Sequence, residues 1–385
     1  MRTAGPHSPS HVRTSHVRIG AVRRGSLVTL LAGALTALVV PLASAATPVT
    51  CGATLTSNTV LRHDLRCSGA GLTLAPGVSL DLGGHRLIGN GSGTAVTATE
   101  ATATRVVNGT IRDWALGLQF ESVLPYPESP LKLDRLRLVD APLDIAGGDV
   151  RLDRSTLQRS ALHLHYSALR ARSTTLRSSN TDGELNQITL TDSTVVGGGV
   201  GLDENNVVTL VRSSLSGTGY AGAPVHCGGT VTVKDSTVRN YAQPIYAFAD
   251  SCPLTVTGTT FRDNPAGAIN AVSGGAGSVT VSGSTFRGNG VAVTGGGLDI
   301  RRSTFRDNEA GVVVTDAATS SITGSTFRGN AGSGIFSAGN GLTVGGNLAV
   351  RNGGYGIYAP AANDLGGNRA RLNALGQCVG LVCAP

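Results

Sequence analysis

Lysine is almost missing from this chain, at Lys132 and Lys234 alone, and large side chains are scarce: one methionine, one tryptophan and 4% aromatic residues. With abundant Gly, Thr, Ser and Val, that composition suits short strands joined by tight turns and argues against helix bundles. Arginine is common where lysine is rare, a bias that a GC-rich genome explains as well as chemistry does. Beyond residue 45 no apolar run approaches the roughly 20 residues that a membrane-spanning helix needs, so no membrane partner is expected.

The first 45 residues carry Arg2, Arg13, Arg18, Arg23 and Arg24 and no acid, followed by an apolar run from Leu27 to Val40 and then Ala43-Ser44-Ala45. A basic leader, a short apolar stretch and small residues at a cleavage point predict an export signal over 1–45 and a secreted, extracellular protein. Arg23-Arg24 ahead of Leu27 fits the twin-arginine route as well as general secretion. Removing these five arginines takes the formal charge from +7 to about +2, so the basic balance belongs mainly to the leader and nucleic-acid binding loses its support.

Six cysteines remain, in an oxidising setting: Cys51, Cys67, Cys227, Cys252, Cys378 and Cys383. Fifteen connectivities are possible. The most economical joins 51 to 67, 227 to 252 and 378 to 383, stapling both ends and two adjacent coils, each bridge worth on the order of 3 kcal/mol. None of the spacings suggests a zinc cluster or a redox pair.

One phrase recurs: Ser284-Thr285-Phe286-Arg287-Gly288-Asn289, Ser303-Thr304-Phe305-Arg306-Asp307-Asn308 and Ser325-Thr326-Phe327-Arg328-Gly329-Asn330. Weaker copies extend it in both directions. Its apolar anchors run from Leu87 and Ile111 through Leu138, Leu157, Leu176, Val195, Leu215, Val238, Phe261, Phe286, Phe305 and Phe327 to Val350 and Ala370, at intervals of 19 to 27 residues. Alternating strands such as Val279-Thr280-Val281 precede the anchors, and Gly-rich turns lead to further strands after them. A unit this short cannot bury its own apolar face, but copies stacked about 4.8 Å apart make one continuous core.

The predicted fold is therefore all-β, a right-handed single-stranded parallel β-helix of about fourteen coils of roughly 22 residues, forming one domain over 46–385. Asn264, Asn289, Asn308 and Asn330, each three residues after a Phe, would bend the chain and bond to one another as a ladder. A propeller needs blades of about 40 residues, nearly twice this period.

Cys51-Gly52, Asp64-Leu65-Arg66-Cys67-Ser68-Gly69-Ala70-Gly71-Leu72, Leu80-Asp81-Leu82-Gly83-Gly84-His85 and Val107-Asn108-Gly109-Thr110-Ile111 resemble the opening coils of secreted proteins of the pectate-lyase-like superfamily. The repeat pattern extends this likeness over nearly all of 46–385. The resemblance implies the fold, but its members include lyases, hydrolases, epimerases and non-catalytic binders. It also implies a structural bond for His85.

In stacked coils, equal offsets from successive anchors become neighbours. Six residues on stand Asp144, His163 and Asp182; eight on stand His165, Glu184 and Asp203, with Glu204 adjacent. Leu162 and Leu164 take the inside, so the ionisable set faces outward. His163, His165, Asp182, Glu184 and Asp203 are candidate catalytic residues, and Asp182, Glu184, Asp203 and Glu204 candidate calcium ligands. A solvated strand face with weak cross-strand pairs accounts for the same pattern. His226 and Tyr246 would extend the set, and Phe336, Tyr358 and Tyr246, each after an inward Ile, could stack on sugar rings.

Directly after the anchors come Arg239, Arg262, Arg287, Arg306, Arg328 and Arg351, with Arg177 and Arg112 further back. At rung spacing, neighbouring charges repel by about 0.9 kcal/mol in water. An acidic polysaccharide lying along the axis would relieve this; Asp263 and Asp307 supply a simpler compensation.

Asn180-Thr181-Asp182-Gly183 resembles the first catalytic segment of polygalacturonases, but Gly197-Gly198-Gly199 stands where that family places adjacent carboxylates, which excludes a working polygalacturonase. A lyase would need a base, for which Arg212 and Arg177 are candidates. The reading is thus a secreted monomer that binds an acidic polysaccharide, with lyase-type cleavage the chemistry its outward cluster could supply. The competing reading is a non-catalytic binding or scaffold protein.

Overall fold

The computed structural model describes residues 48–99, 103–122, 130–201, 206–218, 222–247, 252–271, 278–315 and 319–385. The predicted export signal lies outside them, as do Asp203 and Glu204. Among the described residues every regular element is a β-strand, and the strands pair in parallel with their counterparts one turn away. The chain is an all-β parallel solenoid.

One turn shows the plan: a lead strand Val279–Ser282, an anchor strand Thr285–Arg287 and a trailing strand Val291–Gly295. Each pairs with the equivalent strand before and after it. Stacking thus makes three faces. The lead and anchor faces merge where Arg105–Arg112 and Leu131–Val139 run across the bend without interruption. The trailing face is divided: one sheet ends at Thr181–Asp182, the next begins at Val225–Cys227, and the bridge Thr181 to Val200 lies between.

The anchors form a single inward ladder. Leu65, Leu87, Ile111 and Leu138 pair in succession, and the ladder continues through Val238 to Phe327. Phe261, Phe286, Phe305 and Phe327 stack face to face at 5.1, 4.8 and 4.8 Å with ring planes within 6° of parallel. All four are fully buried, each removal from water worth about 2–3 kcal/mol. One late anchor needs correction: Phe327 pairs with Ala349, not Val350, and Ala349 then pairs with Ala370, the anchor expected there. Val350 sits outward, one place on, beside Arg328 and Arg371.

Two polar ladders hold the bends. Between anchor and trailing strands, the Asn289 amide donates to Asn308 Oδ1 at 2.9 Å, Asn308 to Asn330 at 3.0 Å and Asn330 to Asn352 at 2.8 Å. The ladder begins at Asn264 and ends at Gln377 through Asn373. Each backbone N–H also donates to the next side-chain oxygen. Between lead and anchor strands, Ser and Thr hydroxyls do the same, as from the Ser284 N–H to Ser303 Oγ and from Ser303 to Ser325, with Asn347 and Asn368 taking over at the end. Buried backbone donors that a bend removes from the strand pairing are satisfied one rung away.

Outside the bends, arginines in the left-handed conformation reach back to the preceding turn. Arg154 forks onto Asp134, Arg159 onto Asp140 and Arg212 onto Asp192, with contacts of 2.6 to 3.0 Å. Such forked pairs are directional as well as electrostatic. The guanidinium hydrogen bonds hold Asp140 and Asp192 below the ordinary carboxylate value, against the opposing effect of burial.

Disulfides join Cys51 to Cys67 and Cys378 to Cys383, and Cys252 is also disulfide-bonded. The expected partner of Cys252, the Cys227 side chain, lies outside the described residues.

Two outcomes follow from this architecture. Phe305→Ala should cost about 3–5 kcal/mol for a fully buried ring, and Asn308→Ala about 2–5 kcal/mol because two donors of Asn289 lose their acceptor; urea denaturation reads both. The lowered carboxyls of Asp140 and Asp192 contribute stability that is complete above the unfolded value of about 3.9 and is lost as pH falls through their lower folded values. A carboxyl NMR titration should find both below that value, and Arg159→Gln should return Asp140 towards it.

Candidate functional site

The outward column of the first trailing sheet assembles from three strands. Leu143–Ala146, Leu162–His165 and Thr181–Asp182 pair so that Asp144, His163 and Asp182 are neighbours, while Leu143, Leu162 and Thr181 point into the core. His163 Nδ1 lies 2.6 Å from Asp182 Oδ1, with the two side chains 45% and 28% exposed. If Nδ1 carries the proton and donates it to the carboxylate, Nε2 is left to accept one from outside. The imidazole is therefore oriented and accessible, which a general base requires.

The second proposed pair does not form. His165 and Glu184 are both exposed, and no ion pair or hydrogen bond joins them. Between Asp182 and Glu184, Gly183 adopts φ +110°, and the strand ends at Asp182. A Cβ there would sit 1.7 Å from the Leu164 carbonyl, so only glycine permits this close approach. The rung offset itself persists past Gly183, with the Tyr166 N–H bonding the Glu184 carbonyl at 3.3 Å, yet the His165 and Glu184 side chains make no bond to each other. Asp203 and Glu204 lie outside the described residues, and among the described ones no group of three or more His, Cys, Asp and Glu is placed to hold a metal ion. Asp182 and Glu184 alone do not make the calcium site expected from the sequence.

Neither proposed arginine base survives equally. Arg212 is forked onto Asp192, which raises its pKa above an already high value and removes it as a proton acceptor. Arg177 stands on the anchor face, on Thr175–Arg177, away from the trailing face that carries His163.

The Gly197-Gly198-Gly199 run has a structural role that sequence reading missed. Tyr241 is fully buried and its hydroxyl donates to the Gly198 carbonyl at 3.0 Å, two turns away. Gly198 itself packs against the turn before, where a Cβ would lie 2.2 Å from the Ser179 carbonyl. The position three after an anchor, Tyr241 after Val238, marks it as part of the inner bend and was the signal available.

On the anchor face, Arg239, Arg262, Arg287, Arg306 and Arg328 pair in strict succession, so the arginine column is real over these five rungs. Arg351 is not in it. Its N–H bonds the Arg371 carbonyl just as the Gly329 N–H bonds Val350, which places Arg351 in the left-handed bend at φ +55°. Val350 occupies the rung and Arg371 the next. Arg112 and Arg177 share the column nearer the start, separated by Val139 and Gln158.

Compensation within the five is incomplete. Arg262 meets Asp263 at 2.8 Å and Arg287 meets Asp307 at 3.8 Å, both pairs well exposed. Among the described residues, Arg239, Arg306 and Arg328 have no carboxylate within 4.0 Å.

Phe336 and Tyr358 do face outward, but their rings stack on each other at 5.1 Å and 11°, with Tyr355 tilted against Tyr358 at 5.1 Å. Ring faces satisfied this way present mainly edges to a ligand. Tyr246 pairs with His226 on one side and Asn270 on the other, further along the same outward column. His85 lies 3.7 Å from Asp64, whose carboxylate chiefly serves Arg86.

Comparison with known proteins gives one family model, described as periplasmic copper-binding protein (NosD), which matches residues 204–376, under half of the chain. No curated protein matches. Solved structures include the tailspike protein 3 of bacteriophage CBA120, 12% identical over 86% of this chain and 55% of that one, with a TM-score of 0.39. The catalytic unit of a GH87 α-1,3-glucanase from Streptomyces thermodiastaticus is 16% identical over 83% and 62%, with a TM-score of 0.23. The A-module of an Azotobacter vinelandii mannuronan C-5 epimerase is 12% identical over 85% and 91%, with a TM-score of 0.16. The chain spans 55% to 62% of the first solved chains that it matches.

Proposed function

We propose that this is an exported, right-handed β-helix of the pectate-lyase-like superfamily that binds an acidic extracellular polysaccharide, as a monomer, along its arginine column. The observation that carries the reading is the register of Arg239, Arg262, Arg287, Arg306 and Arg328, five guanidinium groups on successive rungs of which, among the described residues, two have a carboxylate in reach. Five like charges at about 4.8 Å spacing repel one another, and a polymer with one carboxylate per comparable length neutralises them without rearranging the sheet. Guanidinium forks suit sugar carboxylates better than point charges do. The disulfides and the leader agree with a location outside the cytoplasm.

The calcium expected from the sequence and the copper named in the matching family description would each need ligands beyond the pair His163 and Asp182; among the described residues no group of three or more is placed to hold a metal ion, and Asp203 and Glu204 lie outside them.

A second reading, cleavage, is favoured by the His163–Asp182 hydrogen bond. In a lyase-type step, Nε2 of His163 would take the proton from the carbon beside the uronate carboxylate. The electron pair left behind forms a carbon–carbon double bond as the glycosidic oxygen departs and takes the proton back from the imidazolium, which Asp182 stabilises in between.

Polygalacturonate or alginate should bind the wild type and neutral dextran should not, with affinity falling as sodium chloride is raised. The triple change Arg239→Gln, Arg306→Gln and Arg328→Gln should weaken polymer binding about ten- to a hundredfold, at roughly 0.5–1 kcal/mol per exposed contact. Equal binding of dextran, or unchanged affinity in the triple variant, would refute the column as the site. Ultraviolet absorbance of unsaturated products tests cleavage: His163→Ala should abolish it and leave binding intact, and a wild type that generates none on either polymer is a binder alone.

A further inference from the structure

The break in the arginine column leaves a notch in the anchor face. Where Val350 replaces arginine between Arg328 and Arg371, the outward surface sinks into a notch of about 390 Å³, lined by Thr326, Leu348 and Val350 and edged by Arg328, Arg351 and Arg371. This volume lies at the small end of the range for ligand sites. The floor is apolar, the rim holds three guanidinium groups, and Thr326 contributes the nearby hydroxyl-bearing side chain.

Charge makes the notch unusual in this molecule. Near the start of the solenoid, arginines such as Arg154, Arg159 and Arg212 are each forked onto an aspartate. From residue 310 onward the sequence has four arginines and only Asp316 and Asp364 as acids. Asp316 lies outside the described residues. Asp364 is engaged elsewhere, accepting from the Gly366 N–H at 2.8 Å, Asn368 Nδ2 at 3.0 Å and the Val382 N–H at 3.0 Å. Among the described residues none of Arg328, Arg351 and Arg371 has a carboxylate within 4.0 Å.

We infer that this notch is a subsite for a single carboxylated sugar, the terminal unit of the chain that lies along the column, which rests on the polysaccharide reading given above. Arg328 and Arg371 are two rungs apart, about 10 Å, too far to share one carboxylate but spaced to close on a sugar ring laid over Val350. The displacement of Arg351 into the bend brings a third donor to the side of the notch instead of its floor. An apolar floor fits the C–H face of a pyranose, and the rim fits its carboxylate. A bare inorganic anion would leave the floor wet, so it should be held less well.

The test measures galacturonate monomer, galactose and sulfate against wild type by NMR titration, alongside polygalacturonate. Galacturonate should bind in the millimolar range, with galactose and sulfate each about tenfold or more weaker. Val350→Phe, which fills the notch, should reduce galacturonate affinity about tenfold or more, and Arg351→Gln should do so several-fold. Polygalacturonate should change less than about threefold in either variant, because Arg239 to Arg306 remain. Arg239→Gln with Arg306→Gln should do the reverse, weakening the polymer and sparing the monomer, so the two readings fail separately. If Val350→Phe does not fold, Arg351→Gln at an exposed bend carries the test alone. Galacturonate affinity unchanged by Arg351→Gln, or sulfate bound as tightly as galacturonate, would overturn the subsite.

Discussion

Register between successive turns is the constraint on which everything else in this molecule depends. A parallel strand one rung away satisfies the backbone of each strand and part of each bend, but at the Ser/Thr and Asn position of each bend the backbone donor is met by a side chain of the next turn. The Asn ladder from Asn264 to Asn373 and the Ser/Thr ladder from Ser155 onward are both fully buried. Slipping one turn by a single residue would orphan these donors as well as turn anchors outward, at about 1–3 kcal/mol for each buried group. Polar groups thus specify what the apolar column only favours.

That same rule explains how much of the structure was legible in the sequence. Anchors from Leu87 to Phe327 could be read because in most copies one large apolar residue stands between polar neighbours, and where a second follows, as at Ile88, Val139 and Val196, the residue before the anchor is still polar. The reading failed at Leu348-Ala349-Val350, where three apolar residues follow one another and hydrophobicity chooses the wrong one. The asparagine could have decided it: Asn330 stands three after Phe327, and Asn352 three after Ala349, with both buried in the ladder. A polar residue that must be inside is a sharper register mark than an apolar one that merely prefers to be. Arg351 was misplaced for the same reason.

The candidate site divides along similar lines. Asp144, His163 and Asp182 were readable as neighbours because regular alternation holds on their strands. His165 and Glu184 keep the backbone offset but make no side-chain bond, and the glycine at φ +110° between Asp182 and Glu184 is a backbone event that offset counting passes over. The glycines at 197–199 carry a different lesson. Read for chemistry they are an absence of carboxylates; in the structure they adjoin Tyr241, a buried ring that spans two turns near the division of the trailing face.

Placement on the three faces also weighs binding against cleavage. The arginine column and the Val350 notch share the anchor face, whereas His163 and Asp182 stand on the trailing face, earlier along the solenoid and across the asparagine bend. A chain lying parallel to the axis on one face contacts the residues of that face rung after rung, and it reaches the other only by crossing a bend. Binding therefore needs nothing beyond the stacking already present. Cleavage of the same bound segment needs the polymer to turn around the solenoid, and the register that aligns five arginines does nothing to make it turn. A dyad on a different face can act on a second strand or on a chain end, but it gains no positioning from the column. Since proximity and orientation can supply about 7–11 kcal/mol of a barrier reduction, the proposed column would support binding of a polymer more directly than its cleavage at the dyad.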